Sequence, residues 1–242
     1  VWRSVSPSSL TTVMLDFLPN GGLVITTSKC APGTSRSESS VRIGGSRESA
    51  PQFSTGFPTS VDALDIALKF AGSGGDGAQT IAKMTTQAAI NEGFDSTYIP
   101  SYGPESRGGT SYADVHVAVE EVLSPASPEP HVLVAFNAPS LDKFGPTVKP
   151  GGTIIYDSSV IATVPDLGSS VRVIGVPITQ TALDLGAVKV KNVVAWGALQ
   201  AATELLPEAS FLNVLRASLS KKASLLPLNE QAFQAGRNHC LE

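Results

Sequence analysis

Between residues 66 and 91 the apolar spacing changes from that of a strand to that of a helix, and four glycines stand at the change. Ile66, Leu68 and Phe70 alternate, whereas Ile81, Met84, Ala88 and Ala89 recur at helical intervals. The intervening segment Gly72-Ser73-Gly74-Gly75-Asp76-Gly77 carries almost no side-chain bulk. Backbone N–H groups can therefore converge on an anion, and the helix that follows adds its unpaired amides and its positive dipole end. On residue types, Gly72, Ser73, Gly74, Gly75, Gly77 and Thr80 are the candidate phosphate seat. A glycine turn that merely lets a helix pack close to a strand is the plainer alternative. The spacing of Gly72, Gly74 and Gly77 also matches the dinucleotide fingerprint. Its acidic partner would be Asp95, which follows Gly93-Phe94 rather than ending a second strand.

The rest of the chain extends this unit into an α/β pattern. Residues 11–18 and 23–27 read as two strands around an Asn20-Gly21 turn. Between 28 and 60, Ser, Thr, Gly and Pro make up more than half of the residues, too little apolar material for an independent fold. A hairpin and linker over 1–60 are therefore expected to precede a main domain over 61–242. Strands are predicted at 97–99, 115–119, 131–136, 153–157 and 171–176, with Asn137 capping a short helix. Helices are predicted at 179–185, 192–206, 208–219 and 230–235. The expected architecture is a three-layer α/β/α domain with a mixed, mainly parallel sheet. Apolar residues on more than one face around Val193, Val194, Trp196, Ala198 and Leu199 predict a helix buried in the core, with a subunit interface as the alternative.

Composition narrows the function. With 242 residues and a net charge of −4, nothing attracts nucleic acid or an acidic membrane surface globally. No run approaches the ~20 apolar residues of a membrane span, and no charged-then-apolar leader is visible, so a cytoplasmic protein is expected. The sequence opens on Val1, which fits either an alternative start codon or a piece of a longer polypeptide. Cys30 and Cys240 lie far apart and are expected as free thiols, and two cysteines cannot assemble an iron–sulfur cluster or a structural zinc site.

The segment over 100–111 is the second concentration of polar chemistry. Ser101, Tyr102, Gly103, Glu105, Arg107, Gly108 and Gly109 combine hydroxyls, two charges and approachable backbone, and Arg107 beside two glycines could grip a phosphate or carboxylate with two parallel bonds. A Glu105–Arg107 surface pair is the bland reading. His116, His131 and His239 lie apart and read as structural or solvated. Neither a nucleophile elbow nor a paired-histidine zinc motif occurs, so no catalytic residue and no metal ligand is assigned.

Six segments then occur in one order: Gly72-Ser-Gly-Gly-Asp-Gly77, the 100–109 loop, Val134-Ala-Phe-Asn137 with Lys143-Phe144, Val148-Lys-Pro-Gly-Gly152, Asn192-Val-Val-Ala-Trp-Gly197, and Leu228-Asn229-Glu230-Gln231-Ala232-Phe233 with Gly236. Together they resemble the gamma subunit, or gamma domain, of the 2-oxoacid:ferredoxin oxidoreductases over residues 66–236. Asp76 departs from the family, which more often carries Gln or Glu there. The resemblance implies an assembly that oxidatively decarboxylates a 2-oxoacid to its acyl-CoA. It places thiamine diphosphate and Mg in alpha and beta subunits, and iron–sulfur clusters in a delta subunit or fused domain. Ferredoxin would accept the electrons, and this chain would be inactive alone. The form of the 100–109 loop is more similar to the 2-oxoglutarate and branched-chain members, with 2-oxoglutarate favoured.

On this reading coenzyme A is the substrate met here, with its phosphate on the glycine turn and Arg107 and Tyr102 at the approach to the active site. Two other readings remain open: a non-catalytic scaffold cementing the same complex, and a free-standing nucleotide-dependent dehydrogenase.

Overall fold

The computed structural model describes residues 10–17, 23–30, 64–101, 110–122 and 124–241, the first two segments as backbone only. In chain order the elements are β1 (Leu10–Phe17), β2 (Leu23–Cys30), β3 (Asp65–Ser73), α1 (Ala78–Asn91), β4 (Asp95–Ser101), β5 (Thr110–Ala118), β6 (Val132–Ala135), α2 (Ala138–Phe144), β7 (Thr153–Asp157), β8 (Arg172–Val176), α3 (Ile178–Asp184), α4 (Lys191–Thr203), α5 (Glu208–Ser218) and α6 (Leu226–Leu241). The strands form one sheet in the order β1-β2-β4-β5-β3-β6-β7-β8. From β3 through β6 and β7 to β8 the pairing is parallel, while β5 runs antiparallel between β3 and β4. This is the mixed, mainly parallel sheet expected of the main domain. β1 and β2 pair antiparallel as the expected hairpin, and β2 continues the sheet by pairing Ile25 with Tyr98. The Asn20-Gly21 turn and the linker stretch beyond Cys30 lie outside the described residues.

β3 is central because both of its faces are buried. Ile66, Leu68 and Phe70 enter the larger core with α1, α3, α4, α5 and α6, and Ala71 joins the smaller core with α2. The two outer layers are unequal: five helices cover one face, whereas the other carries the short α2, a 3₁₀ turn over Gly145–Thr147 and irregular chain. α1 ends where Gly93 takes a positive φ of 92°, and the Phe94 N–H folds back onto the Ala89 carbonyl at 3.1 Å.

Some element bounds differ from the sequence reading. The 97–99 strand runs from Asp95 to Ser101 because antiparallel β5 gives it a partner over its whole length. Both strands thus consume the ends of the predicted 100–111 loop. β5 stops at Ala118, leaving Val119 outside the strand. The last helix is longer than 230–235, since Pro227 falls in its first turn, where a missing N–H costs no intrahelical bond.

The helix with apolar residues all round is a core helix. Trp196 is fully buried, donates its indole N–H to Thr85 at 2.9 Å, and packs against Phe211 and Phe233 at centroid distances of 4.8 and 5.8 Å. α4 and α6 touch backbone to backbone. A Cβ on Gly197 would lie 1.9 Å from the Phe233 carbonyl oxygen, and one on Gly236 would lie 1.9 Å from that of Val194. Gly236→Ala is therefore expected to force the helices apart and cost about 3 kcal/mol or more. A urea melt with lowered midpoint and unchanged slope checks this.

On the opposite face Lys69 of β3 and Asp114 of β5 stand directly across from each other and form a buried ion pair. The ammonium also lies 4.9 Å from the Tyr112 ring centre and 5.1 Å from that of Phe144. Burial pushes the Asp114 carboxyl above the usual range, and Lys69 counteracts that push. Lys69→Met removes the counterweight, so the folded state holds a proton that the unfolded state releases. Stability of the variant should then fall as pH rises through the ordinary carboxylate range toward the raised folded value, with a loss of about 3–5 kcal/mol once Asp114 is ionised. Denaturation midpoints of both proteins measured across that range test the sign.

Candidate functional site at the switch point of the sheet

β3 leads into α1 on one face, whereas its neighbour β6 leads into α2 on the other. Where adjacent parallel strands send their helices to opposite sides, the loops at their carboxyl ends diverge and leave a crevice. The glycine turn forms one lip and Asn137 the other. Asn137 caps α2 by accepting from the Ser140 N–H at 2.9 Å, while its amide donates to Ser73 Oγ at 2.7 Å, so one side chain ties both lips together.

The glycines divide into different tasks. Gly75 and Gly77 have φ of 101° and 82°, a left-handed region open to glycine without penalty. Gly72 and Gly77 also permit close packing: a Cβ on Gly72 would lie 2.7 Å from the Asp76 carboxylate, and one on Gly77 would lie 2.7 Å from the Asn192 side chain. Around Gly74 and Gly75 a Cβ would meet nothing within 4 Å, and both residues are exposed. These two positions are where a ligand could come close to the backbone.

Part of the predicted seat is filled from within. The Ser73 N–H donates to Asp76 Oδ2 at 2.6 Å, and Asp76 Oδ1 accepts from Lys191 at 2.6 Å. Thr80 is exposed on the first turn of α1, its N–H turned to the Gly77 carbonyl at 3.0 Å. Gly77 is the N-cap of α1 and supplies no side-chain acceptor. Among the described residues no acceptor meets the amides of Gly74, Gly75, Gly77, Ala78 or Gln79. A helix of 14 residues thus begins at this crevice with its first amides open.

Gln79, to which sequence reasoning assigned no role, joins the second candidate segment to the first. Its amide nitrogen lies 3.2 Å from the Ser101 carbonyl, 2.9 Å from Ser111 Oγ and 3.3 Å from the Tyr112 carbonyl, and its oxygen accepts from the Tyr98 hydroxyl at 2.8 Å. It buttons the ends of β4 and β5 to the first turn of α1. Ser101 is therefore placed beside the glycine turn through its main chain. Tyr102, Gly103, Glu105, Arg107, Gly108 and Gly109 lie outside the described residues. Lys191 and Asn192, which open α4 and press on the glycine turn, were also missed as site residues. Lys191 and Asp76 are 115 positions apart, and no local pattern links them.

The other ionisable groups are committed elsewhere. Asp95 begins β4 instead of ending it, about 20 Å along the strand from the glycine end of the sheet, and accepts from the Val122 N–H at 2.8 Å. The dinucleotide fingerprint thereby loses its acidic partner. His131 accepts from the Ala67 N–H at 3.0 Å through Nδ1, and burial, aided by Lys149, lowers its proton affinity. It is a neutral structural histidine. His116 is held between Asp65 at 2.5 Å and the Ser124 carbonyl at 2.9 Å, and His239 meets Thr181 at 3.0 Å. The buried Asp157 closes the loop after β7, accepting from the Ser159 and Thr179 N–H groups and the Thr179 hydroxyl. The Cys240 thiol is free, and burial raises its pKa against a nearby Arg172. Among the described residues no three His, Cys, Asp or Glu side chains are grouped as metal ligands, and no helix is long and apolar enough to cross a membrane.

Residues 67–239 match the family described as pyruvate ferredoxin/flavodoxin oxidoreductase. The ketoisovalerate oxidoreductase subunit VorA of Methanothermobacter thermautotrophicus is 38% identical over 71% of this chain, and the match covers 36% of that protein. The chain thus spans about a third of the length of the first curated relatives it matches. The 2-oxoglutarate synthase subunit KorC of Archaeoglobus fulgidus is 30% identical over 71% of this chain and 86% of its own. Among solved structures, the keto/oxoacid ferredoxin oxidoreductase gamma subunit of Geobacter sulfurreducens superposes with a TM-score of 0.63 at 27% identity, covering 73% of this chain and 98% of that one. The fold also occurs in the 2-oxoglutarate:ferredoxin oxidoreductase of Magnetococcus marinus, solved with 2-oxoglutarate, coenzyme A and succinyl-CoA bound. There the TM-score is 0.69 at 24% identity, over 73% of this chain and 31% of that one.

Gln79→Ala removes the link between α1 and the hairpin ends, with its bonds to Ser101, Ser111 and Tyr112, which should cost about 1–3 kcal/mol. Hydrogen exchange should accelerate at the Ser101 and Tyr112 ends of the strands before it does at the centre of β3. Uniform exchange across the sheet would contradict the role of this side chain.

Proposed function

This chain belongs to the pyruvate ferredoxin/flavodoxin oxidoreductase family, and on that premise we propose that it is the gamma component of a 2-oxoacid:ferredoxin oxidoreductase. It supports CoA-dependent oxidative decarboxylation of a 2-oxoacid and is inactive alone. Its partners are alpha and beta subunits, with a delta subunit or fused domain, and ferredoxin receives the electrons. Thiamine diphosphate with Mg supplies the decarboxylation chemistry and iron–sulfur clusters the electron path, both on partner subunits. The cytoplasm is the proposed compartment.

The observation that carries this reading is the open first turn of α1 beside exposed Gly74 and Gly75. Backbone amides without an acceptor among the described residues, on a helix end with no side-chain cap, suit a phosphate better than they suit proton transfer. Gly72, Ser73, Gly74, Gly75, Gly77 and Thr80 are proposed to form or shape that seat, and Ser101, Tyr102, Gly103, Glu105, Arg107, Gly108 and Gly109 are proposed to act at the approach to the reacting centre or at an interface. Phosphate held at a distance from the thiol positions it for attack through orientation rather than through acid–base chemistry. A 2-oxoglutarate substrate is the reading of the 100–109 loop, and the KorC relative is compatible with it. The 38% identity to a ketoisovalerate subunit favours a branched-chain acid as the second reading. Comparing kcat/KM for 2-oxoglutarate, ketoisovalerate and pyruvate on the purified assembly decides between them.

Arg107→Ala in the intact assembly should raise KM for coenzyme A by about 10-fold to 100-fold, the value of a lost charge-assisted bond, while KM for the 2-oxoacid changes little. A scaffold role predicts the opposite pattern: KM values unchanged and less complex recovered on purification.

A further inference from the structure

Lys191 is the first residue of α4, yet its side chain reaches back to the glycine turn. There its ammonium lies 2.6 Å from Asp76 Oδ1, while the other oxygen of that carboxylate takes the Ser73 N–H at 2.6 Å. Asp76 therefore occupies the kind of position that an anionic ligand of the turn would take, with one backbone amide and one cation already on it. Both side chains are largely but not wholly covered, at 19% and 14% exposure. A pair in that setting recovers little net stability from its Coulomb attraction, because each charge has given up most of its water. Its clearer consequence is placement. Asn192, the next residue, packs on Gly77, so the first turn of α4 is fixed against the turn and holds the ammonium on Asp76, which follows exposed Gly74 and Gly75 in the chain.

We propose that Lys191 is the cation that receives the ligand's phosphate at this turn, and that Asp76 is an internal carboxylate that keeps it in place and competes with the phosphate for it. The proposal rests on the reading that coenzyme A binds here. A phosphate dianion brings more charge than a carboxylate and can also reach the amides of Gly74, Gly75 and the first turn of α1, which Asp76 leaves open. Binding then exchanges one ion pair for another, with Lys191 already positioned and little side-chain freedom left to lose. Asp76 sets how tightly the ligand is held: it lowers affinity by its like charge and preserves selectivity for groups bearing enough charge to displace it.

The test is equilibrium binding of coenzyme A to the full-length protein in its native assembly, at low and high salt. Asp76→Asn keeps the shape of the side chain and the bond from Ser73 but removes the charge, and should tighten binding by about threefold to tenfold, with the gain shrinking as salt rises. Lys191→Gln should weaken binding by about tenfold, and the double variant should bind no better than Lys191→Gln. A purely structural pair would lower the melting midpoint of both single variants without moving the two affinities in opposite directions. If the unaltered assembly binds coenzyme A and Asp76→Asn binds it equally or more weakly, this proposal falls and the coenzyme A reading stands. If neither the unaltered assembly nor any variant binds it, both fall.

Discussion

A backbone turn can remain open to a ligand only if other parts of the protein impose its shape, since a glycine-rich segment has the most conformational freedom to lose. Here the restraint comes from a long-range contact. The first turn of α4 lies against the glycine turn through Asn192 on Gly77 and Lys191 on Asp76. α4 is in turn locked by its glycine crossing with α6 and by Trp196 in the core. Rigidity thus passes from the C-terminal helices to the mouth of β3. Asn137 and Gln79 extend it outward, one to the β6 side of the crevice and the other to the β4–β5 hairpin.

Local signals made the scaffold readable. The change of hydrophobic period around Gly72–Gly77 located β3 and α1, Asn137 announced the cap of α2, and the all-round apolar pattern near Trp196 identified a buried helix. What could not be read was set by partners distant in sequence. β5 inserts antiparallel between β3 and β4, so β4 acquires two extra residues at each end, and Asp95 moves to the far end of the sheet from where a dinucleotide acid would stand. Asp76 and Lys191 likewise meet only through the fold. Nor could the separate tasks of the glycines be told apart, because packing at Gly72, positive φ at Gly75 and Gly77, and open space at Gly74 all leave the same letter in the sequence.

The chemistry follows from what is free and what is spent. Histidines 116, 131 and 239 and the carboxylates of Asp95, Asp114 and Asp157 are each engaged by a neighbour that fixes the fold. Among the described residues, main-chain amides of the glycine turn and the first turn of α1 are left without an acceptor, and their protons are not transferable at ordinary pH. Such a site holds and orients. That suits a component whose contribution to rate is positioning one substrate for groups supplied by neighbouring subunits.

The most direct measurement is amide hydrogen exchange of the intact assembly with and without coenzyme A. The account predicts slowed exchange in the peptide spanning residues 74–80, with the far end of the sheet around Asp95 unchanged. Turnover with coenzyme A that leaves the 74–80 peptide exchanging at its unliganded rate would contradict it.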